Sequence, residues 1–148
     1  MTHRCGHASP DRGFTLLELL VVISLIAIAS AGVAFAIRDS AYTSLEREGE
    51  RLAALLEGGR ALSRASGQSL RWRDTPQGFV FEGGSAASSL PTTWLDARTS
   101  VRWEAGLRDI TLGPEPIIDR QSIMLSSEGH ILRIATDGLR PFAVQAAP

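Results

Sequence analysis

The chain has 148 residues, 44% of them hydrophobic, with 15 basic and 16 acidic side chains for a formal charge of −1. Interspersed charge of this size sets up no global field that would recruit nucleic acid or a membrane surface. Every basic residue is an arginine, which we read as a composition bias without functional weight.

The apolar residues are unevenly placed. Between Phe14 and Ile37, 19 of 24 residues are apolar and Glu18 is the only charge, whereas from Arg38 onward 43 of 111 are apolar, an ordinary share for a water-soluble domain. One apolar block joined to one domain excludes a multi-span membrane protein and a wholly cytosolic globule. The domain is long enough to bury a core without staples.

In chain order, residues 1–13 read as a short polar leader ending in Asp11-Arg12-Gly13. A secretory signal would have a shorter apolar region closed by small residues. Ala27, Ala29 and Ala31 imitate such a cleavage site, but the run continues through Val33, Phe35 and Ile37. As a helix, the block 14–37 reaches about 36 Å at 1.5 Å per residue, enough to cross a hydrocarbon layer of about 30 Å. Arg4 and Arg12 precede it, and positive charge stays on the cytoplasmic side. The expected topology is a single-pass inner-membrane protein, N-terminus cytoplasmic and C-terminal domain periplasmic. Cys5 is the single cysteine; no apolar segment precedes it, as a lipoprotein would need, and the exported domain must hold together without disulfides.

Glu18 stands out within the block. A carboxylate on the apolar face of a spanning helix costs at least about 2.5 kcal/mol on insertion scales. Either it lies near the membrane surface and snorkels, or it meets a positive partner in another subunit.

The string Arg12-Gly13-Phe14-Thr15-Leu16-Leu17-Glu18-Leu19-Leu20-Val21-Val22 resembles the class III signal of type IV pilins and type II secretion pseudopilins. The resemblance implies that a membrane-embedded prepilin peptidase cuts after Gly13 and methylates the new N-terminal Phe14. Glu18 then becomes the fifth mature residue, an assembly residue that pairs with a neighbouring subunit's terminal amine. Two charges neutralised inside an apolar bundle make wrong registers costly. Many relatives carry a proline in the second half of this run; here there is none, so a straight helix is expected.

Past Arg38, Ala41, Leu45, Leu52, Leu55, Leu56, Leu62 and Ala65 recur at spacings near three, four and seven. This predicts an amphipathic helix to about residue 66 with an apolar stripe. Arg47, Glu48, Glu50, Arg51, Glu57, Arg60 and Arg64 read as its solvated face. Gly49, Gly58 and Gly59 weaken such a helix by about 1 kcal/mol each.

After Gly67 the period becomes two. Leu70 to Arg73 and Phe79 to Glu82, separated by Asp74 to Gly78, predict a hairpin. Residues 83–89 read as a polar loop, and 99–104 and 109–112 as short strands. The clearest hairpin joins Ser122-Ile123-Met124-Leu125 to His130-Ile131-Leu132-Arg133-Ile134. A last strand is placed at 140–144, followed by a frayed tail, 145–148. One long helix followed by antiparallel strands is an α+β arrangement and fits the pilin-like fold. Within that family the Gly78-Phe79-Val80-Phe81 strand, the Leu90-Pro91 step and the Gly129 hairpin leading to Asp137-Gly138-Leu139-Arg140 most resemble the H-type minor pseudopilin of type II secretion, a group related to a DNA-uptake minor pilin.

Enzyme chemistry is not expected. Beyond the leader the only histidine is His130, at a predicted turn, which reads as a surface residue and not as a triad base. With no His or Cys cluster, no metal or other cofactor is expected. Asp109, Glu115 and Asp119 lack the alternating spacing of a calcium loop, and Gly83-Gly84 lacks the Lys and Ser or Thr of a phosphate loop. Trp72, Trp94, Trp103, Phe79 and Phe81 could stack on bases, but at alternating strand positions they read as core. The expected function is a structural minor pseudopilin whose partners are prepilin peptidase, other major and minor pseudopilins and the inner-membrane secretion platform. The alternative is a minor type IV pilin, including a DNA-binding subunit for uptake. That reading needs arginines converging on phosphates, yet Glu128 and Asp137 lie among Arg133 and Arg140.

Overall fold

The computed structural model describes residues 15–146 apart from Ala105; for residues 33–39, 86 and 146 it describes the backbone alone. A single α-helix, α1, runs from Leu16–Ser66. Glu18 lies in its first turn and Arg64 in its last, each with the sign that complements the helix dipole. The helix stops at Gly67, whose φ of 68° is the left-handed conformation that closes helix C-termini and that glycine adopts without penalty. Contacts divide the chain into two compact units that meet between Ile37 and Arg38.

In the first unit the helix is apolar on all sides. Among the described residues no helix is long and apolar enough to cross a membrane. The span expected over 14–37 extends beyond the residues whose side chains are described, 15–32 in this unit.

The second unit is an α+β domain. Seven strands follow the helix: β1 (Arg71–Thr75), β2 (Gly78–Glu82), β3 (Ser100–Trp103), β4 (Ile110–Thr111), β5 (Gln121–Ser127), β6 (His130–Thr136) and β7 (Ala143–Ala146). They form two antiparallel sheets, ordered β2-β1-β4 and β3-β5-β6-β7. Leu45, Leu52, Ala53 and Leu56 of the helix share one buried cluster with Trp72, Phe79, Phe81, Ile110, Ile123, Leu125, Leu132 and Ile134. Period-two patterning accounts for the strands: in β1, Trp72 is buried between exposed Arg71 and Arg73, and it stands opposite Phe81.

Several boundaries differ from expectation. The first hairpin is tighter, since β1 and β2 pair as far as Thr75 with Gly78, leaving Pro76-Gln77 as the turn. Residues 83–89 are not all loop, because Ser85–Ser89 forms a 3-10 turn. In the β5–β6 hairpin Ser127 pairs with His130, so Glu128 and Gly129, with φ of 50° and 83°, make a two-residue turn of the kind that matches strand twist. The final strand lies further on than 140–144. Thr136 donates its hydroxyl hydrogen to the Arg140 carbonyl at 2.6 Å, and Pro141 offers no N–H, so ladder pairing resumes only at Ala143. Gln145 and Ala146 pair with Arg133 and Leu132 and are not frayed; residues 147 and 148 lie outside the described residues.

Candidate functional site

The start of α1 is the region to which the sequence assigns chemistry. Gly13 and Phe14, the expected cleavage junction and methylation site, lie outside the described residues, as do Arg4, Cys5 and Arg12. Thr15 is the N-cap: its carbonyl accepts the Leu19 N–H at 3.2 Å, and its Oγ1 accepts the Glu18 N–H at 3.2 Å. A side-chain oxygen at this position satisfies one of the four N–H groups that a helix start leaves without partners. Sequence reasoning missed this role. The signal was present as Thr15-Leu16-Leu17-Glu18, the spacing of a capping box.

Glu18 is exposed in that first turn. Around and beyond it Leu16 is 81% exposed, Leu17 72% and Ile28 70%. A helix apolar on every face is one that lipid or other helices surround. The two serines within the block do not interrupt this surface, because Ser24 donates to the Leu20 carbonyl and Ser30 to the Ile26 carbonyl, each at 2.8 Å. Such back-bonding lets a hydroxyl sit in apolar surroundings without water.

In the domain, the charged face of α1 is not simply solvated. Glu48 and Arg60 are 1% and 3% exposed. Glu48 accepts from Arg51 at 2.9 Å and from the Leu95 N–H at 2.6 Å, while Arg51 also donates to the Thr93 carbonyl at 3.2 Å. Arg60 donates to the carbonyls of Gly138 at 2.9 Å and Pro116 at 3.1 Å. Glu57 accepts the Phe142 N–H at 3.0 Å. The helix thus pins three loops through the residues expected to face water; a buried polar group keeps its place only when so partnered. Among that expected face, Arg47, Glu50 and Arg64 are exposed.

The remaining arginines are largely engaged by carboxylates. Arg73 meets Glu82 at 2.6 Å, Arg133 meets Glu104 at 3.2 Å and Arg140 meets Asp137 at 3.5 Å; Arg98 pairs with both Asp96 and Glu128. Trp72, Phe79 and Phe81 are buried. Trp94 and Trp103 pack edge-on or tilted against Trp72, and Trp103 donates its ring N–H to Asp74 at 2.8 Å. The aromatics therefore build core, as the alternating pattern predicts for Trp72, Phe79, Phe81 and Trp103, while Trp94 packs on it from outside the strands. His130 opens β6 half-buried, its ring edge-on to Tyr42 at 5.9 Å. Asp109, Glu115 and Asp119 line one open cleft with Arg120 and Gln121. Among the described residues no group of His, Cys, Asp and Glu is arranged to hold a metal ion.

Residues 9–34 match the prokaryotic N-terminal methylation motif. That motif marks type IV pilin-like or pseudopilin precursors, membrane-anchored proteins that a prepilin peptidase processes and that assemble with other subunits of the same type. It supports the general pilin-like class for this chain. No curated protein and no solved structure matches the chain.

Proposed function

We propose that the chain is a structural, non-enzymatic minor pseudopilin of a type II protein secretion system, of the H type. It is made as a precursor, cut after Gly13, methylated on Phe14, and held in the inner membrane by the apolar helix with its domain in the periplasm. It then joins a short periplasmic filament, near the tip, alongside major and minor pseudopilins and the secretion platform. The observation that carries this reading is the union of the methylation motif at residues 9–34 with an exposed, all-round apolar helix that begins at Leu16.

Glu18 is the assembly residue, an isolated carboxylate in the first turn of that helix. Inside an apolar bundle it gains only if a cation meets it, and cleavage at Gly13 creates one at the Phe14 amine of a neighbour. The domain supplies contact surface. Arg73, Arg98, Arg133 and Arg140 engage carboxylates of the same chain, which favours secretion over a DNA-binding role.

The test is mass measurement and N-terminal sequencing of the protein expressed with and without prepilin peptidase. Loss of residues 1–13 and a methylated Phe14 are expected only with the peptidase; an intact Met1 terminus in its presence overturns the proposal. Deletion of the gene should impair protein secretion and leave piliation and DNA uptake intact.

A further inference from the structure

We infer that the cleft between the first hairpin and β3 is a saccharide-binding site, with Trp94 as the platform for a neutral sugar ring and Asp74 and Gln77 as the groups that grip its hydroxyls. The inference goes beyond the filament role proposed above and does not depend on it.

The cleft encloses about 490 Å³ and is lined by Asp74, Thr75 and Gln77 from the hairpin and by Trp94, Thr99 and Ser100 from the stretch that runs into β3. That volume is ordinary for a small-molecule site. Asp74 is the only charged group among the described lining residues, so nothing there complements a phosphate or an anionic lipid. Aliphatic surface is limited to Pro76, Ala97 and Val101, too little to enclose an acyl chain. One aromatic ring, one carboxylate, one amide and several hydroxyls form the set that suits a sugar. Its C–H face packs on the ring, and its hydroxyls take charge-assisted and neutral hydrogen bonds.

The platform is also held in place before any ligand arrives. Thr92 to Leu95 belong to no helix or strand, yet the stretch is anchored at three points. The Phe79 N–H donates to the Thr92 carbonyl at 2.9 Å, Arg51 donates to the Thr93 carbonyl at 3.2 Å, and the Leu95 N–H donates to Glu48 at 2.6 Å. Glu48 is 1% exposed; burying a carboxylate is costly, and this one fixes the residue next to Trp94. A Cβ at Gly78 would collide with the Thr92 carbonyl oxygen, so glycine lets the hairpin approach this stretch closely. Trp94 itself is half-buried, its ring braced by Phe79 at 4.6 Å and by Trp72 at 6.3 Å. Asp74 is oriented by the Trp103 ring N–H, which its Oδ1 accepts at 2.8 Å, one bond of the several that a carboxylate can accept. Preorganisation of this kind lowers the cost of binding.

Saturation-transfer NMR on the full-length protein, held in a detergent without a sugar headgroup, tests this with chitotetraose and cellotetraose as probes. A dissociation constant of about 1 mM or tighter is expected for at least one of them. Gln77→Ala changes an exposed turn residue and should weaken binding about five-fold through a lost hydrogen bond. Asp74→Asn keeps an acceptor for Trp103 and loses the charge, so binding should weaken about ten-fold. Trp94→Ala should weaken it by at least about ten-fold, and Trp94→Phe, which keeps a stacking face, should recover most of that loss. Arg64→Ala, outside the cleft lining, should bind as the wild type does. Binding of chitotetraose alone assigns an N-acetylated wall-type glycan, binding of cellotetraose alone a plain glucan, and equal binding a site that reads ring hydroxyls; each supports the inference. No transfer to either probe up to about 10 mM overturns it, as does binding that survives both Gln77→Ala and Asp74→Asn at full strength. A response to an extended valine-threonine hexapeptide and to neither saccharide makes the cleft a docking edge beside β3, and also overturns it.

Discussion

Arg60 reaches from the helix to the carbonyl of Gly138, 78 residues further along the chain, at 2.9 Å within a buried setting. The same guanidinium serves the Pro116 carbonyl at 3.1 Å, and the Gly138 carbonyl also receives the Ile118 N–H at 3.4 Å. One side chain thus ties the segment before β5 and the turn before β7 to α1. Its planar fork suits two acceptors at once, which an ammonium on a flexible stem does not reproduce. Arg60→Met is expected to destabilise the domain by about 1–3 kcal/mol, because it removes a charged donor from the Gly138 and Pro116 carbonyls. Arg60→Lys should recover only part of that loss. Arg64→Ala, one turn on and exposed, should stay within about 0.5 kcal/mol of wild type. Urea unfolding of the fragment from Arg38, followed by Trp fluorescence, measures all three.

Three of the four glycines of α1, Gly49, Gly58 and Gly59, lie in the domain and are not equivalent. A Cβ at Gly59 would stand 2.8 Å from Leu112 Cδ1 and 3.2 Å from Phe81 Cε1, and one at Gly49 would collide with Leu132 and come within 3.2 Å of Val144 Cγ2. These glycines let the helix lie close on the strands. At Gly58 nothing lies within 4 Å. Gly58→Ala is therefore expected to stabilise the domain by up to about 1 kcal/mol through helix propensity. Gly49→Ala and Gly59→Ala should each cost about 1–2 kcal/mol through overpacking of buried leucines. Thermal unfolding of the three variants side by side checks the opposite signs.

These particulars show what the residue pattern carries and what it does not. The helix, the first hairpin and the β5–β6 hairpin are local and periodic, so apolar spacing reveals them. The pairing of β1 with β4 through Arg71–Thr111 and Trp72–Ile110 joins distant segments through a two-residue strand, too short for any period. Glu48 and Arg60 read as solvent-facing because they are charged, yet Leu45, Glu48, Leu52, Leu56, Arg60 and Ser63 are all buried and follow one another at steps of three or four. Position on the stripe, taken before residue type, would have found both. At the processing site the motif was plain, whereas Thr15 as cap was hidden by the habit of reading that segment only for its apolar run.

Acid should weaken the domain in a defined window. Asp137 accepts the N–H groups of Arg140 at 2.7 Å and Leu139 at 3.0 Å, and these bonds, Arg140's first, hold its carboxyl below the usual range. The side chain of Arg98 does the same for Asp96, and that of Arg73 for Glu82. With folded values depressed, the unfolded chain binds more protons in the window between folded and unfolded values, so stability rises with pH there. The contribution is complete above the ordinary carboxylate range of about 4 and is lost as pH falls through the depressed values. Glu82 and Asp137 are exposed and Asp96 is half-buried, so added salt should shrink the effect of the two arginine pairs. Melting temperature measured from pH 7 down to pH 2 should be level and then decline below about pH 4. Asp137→Asn, which cannot titrate, should lessen the decline.

Glu18 poses the sharpest alternative, because a carboxylate in a first helical turn also favours its own helix, by about 0.3–1 kcal/mol. That local effect and an intersubunit pair respond differently to substitution. Glu18→Asp keeps the charge and its place near the helix N-terminus but shortens the reach by one methylene. If Glu18 served only its own helix, Glu18→Asp would behave as wild type. If it meets a partner's amine across a bundle, the shorter side chain must shift the stagger or lose the contact, and incorporation should fall. Glu18→Ala should fall further, while both variants insert and lose residues 1–13 as the wild type does, since cleavage precedes assembly. The measurement is the fraction of processed protein recovered in sheared or cross-linked filaments. Normal incorporation of Glu18→Ala would sink the pairing role, and a block in processing would move Glu18 from assembly to recognition by the peptidase.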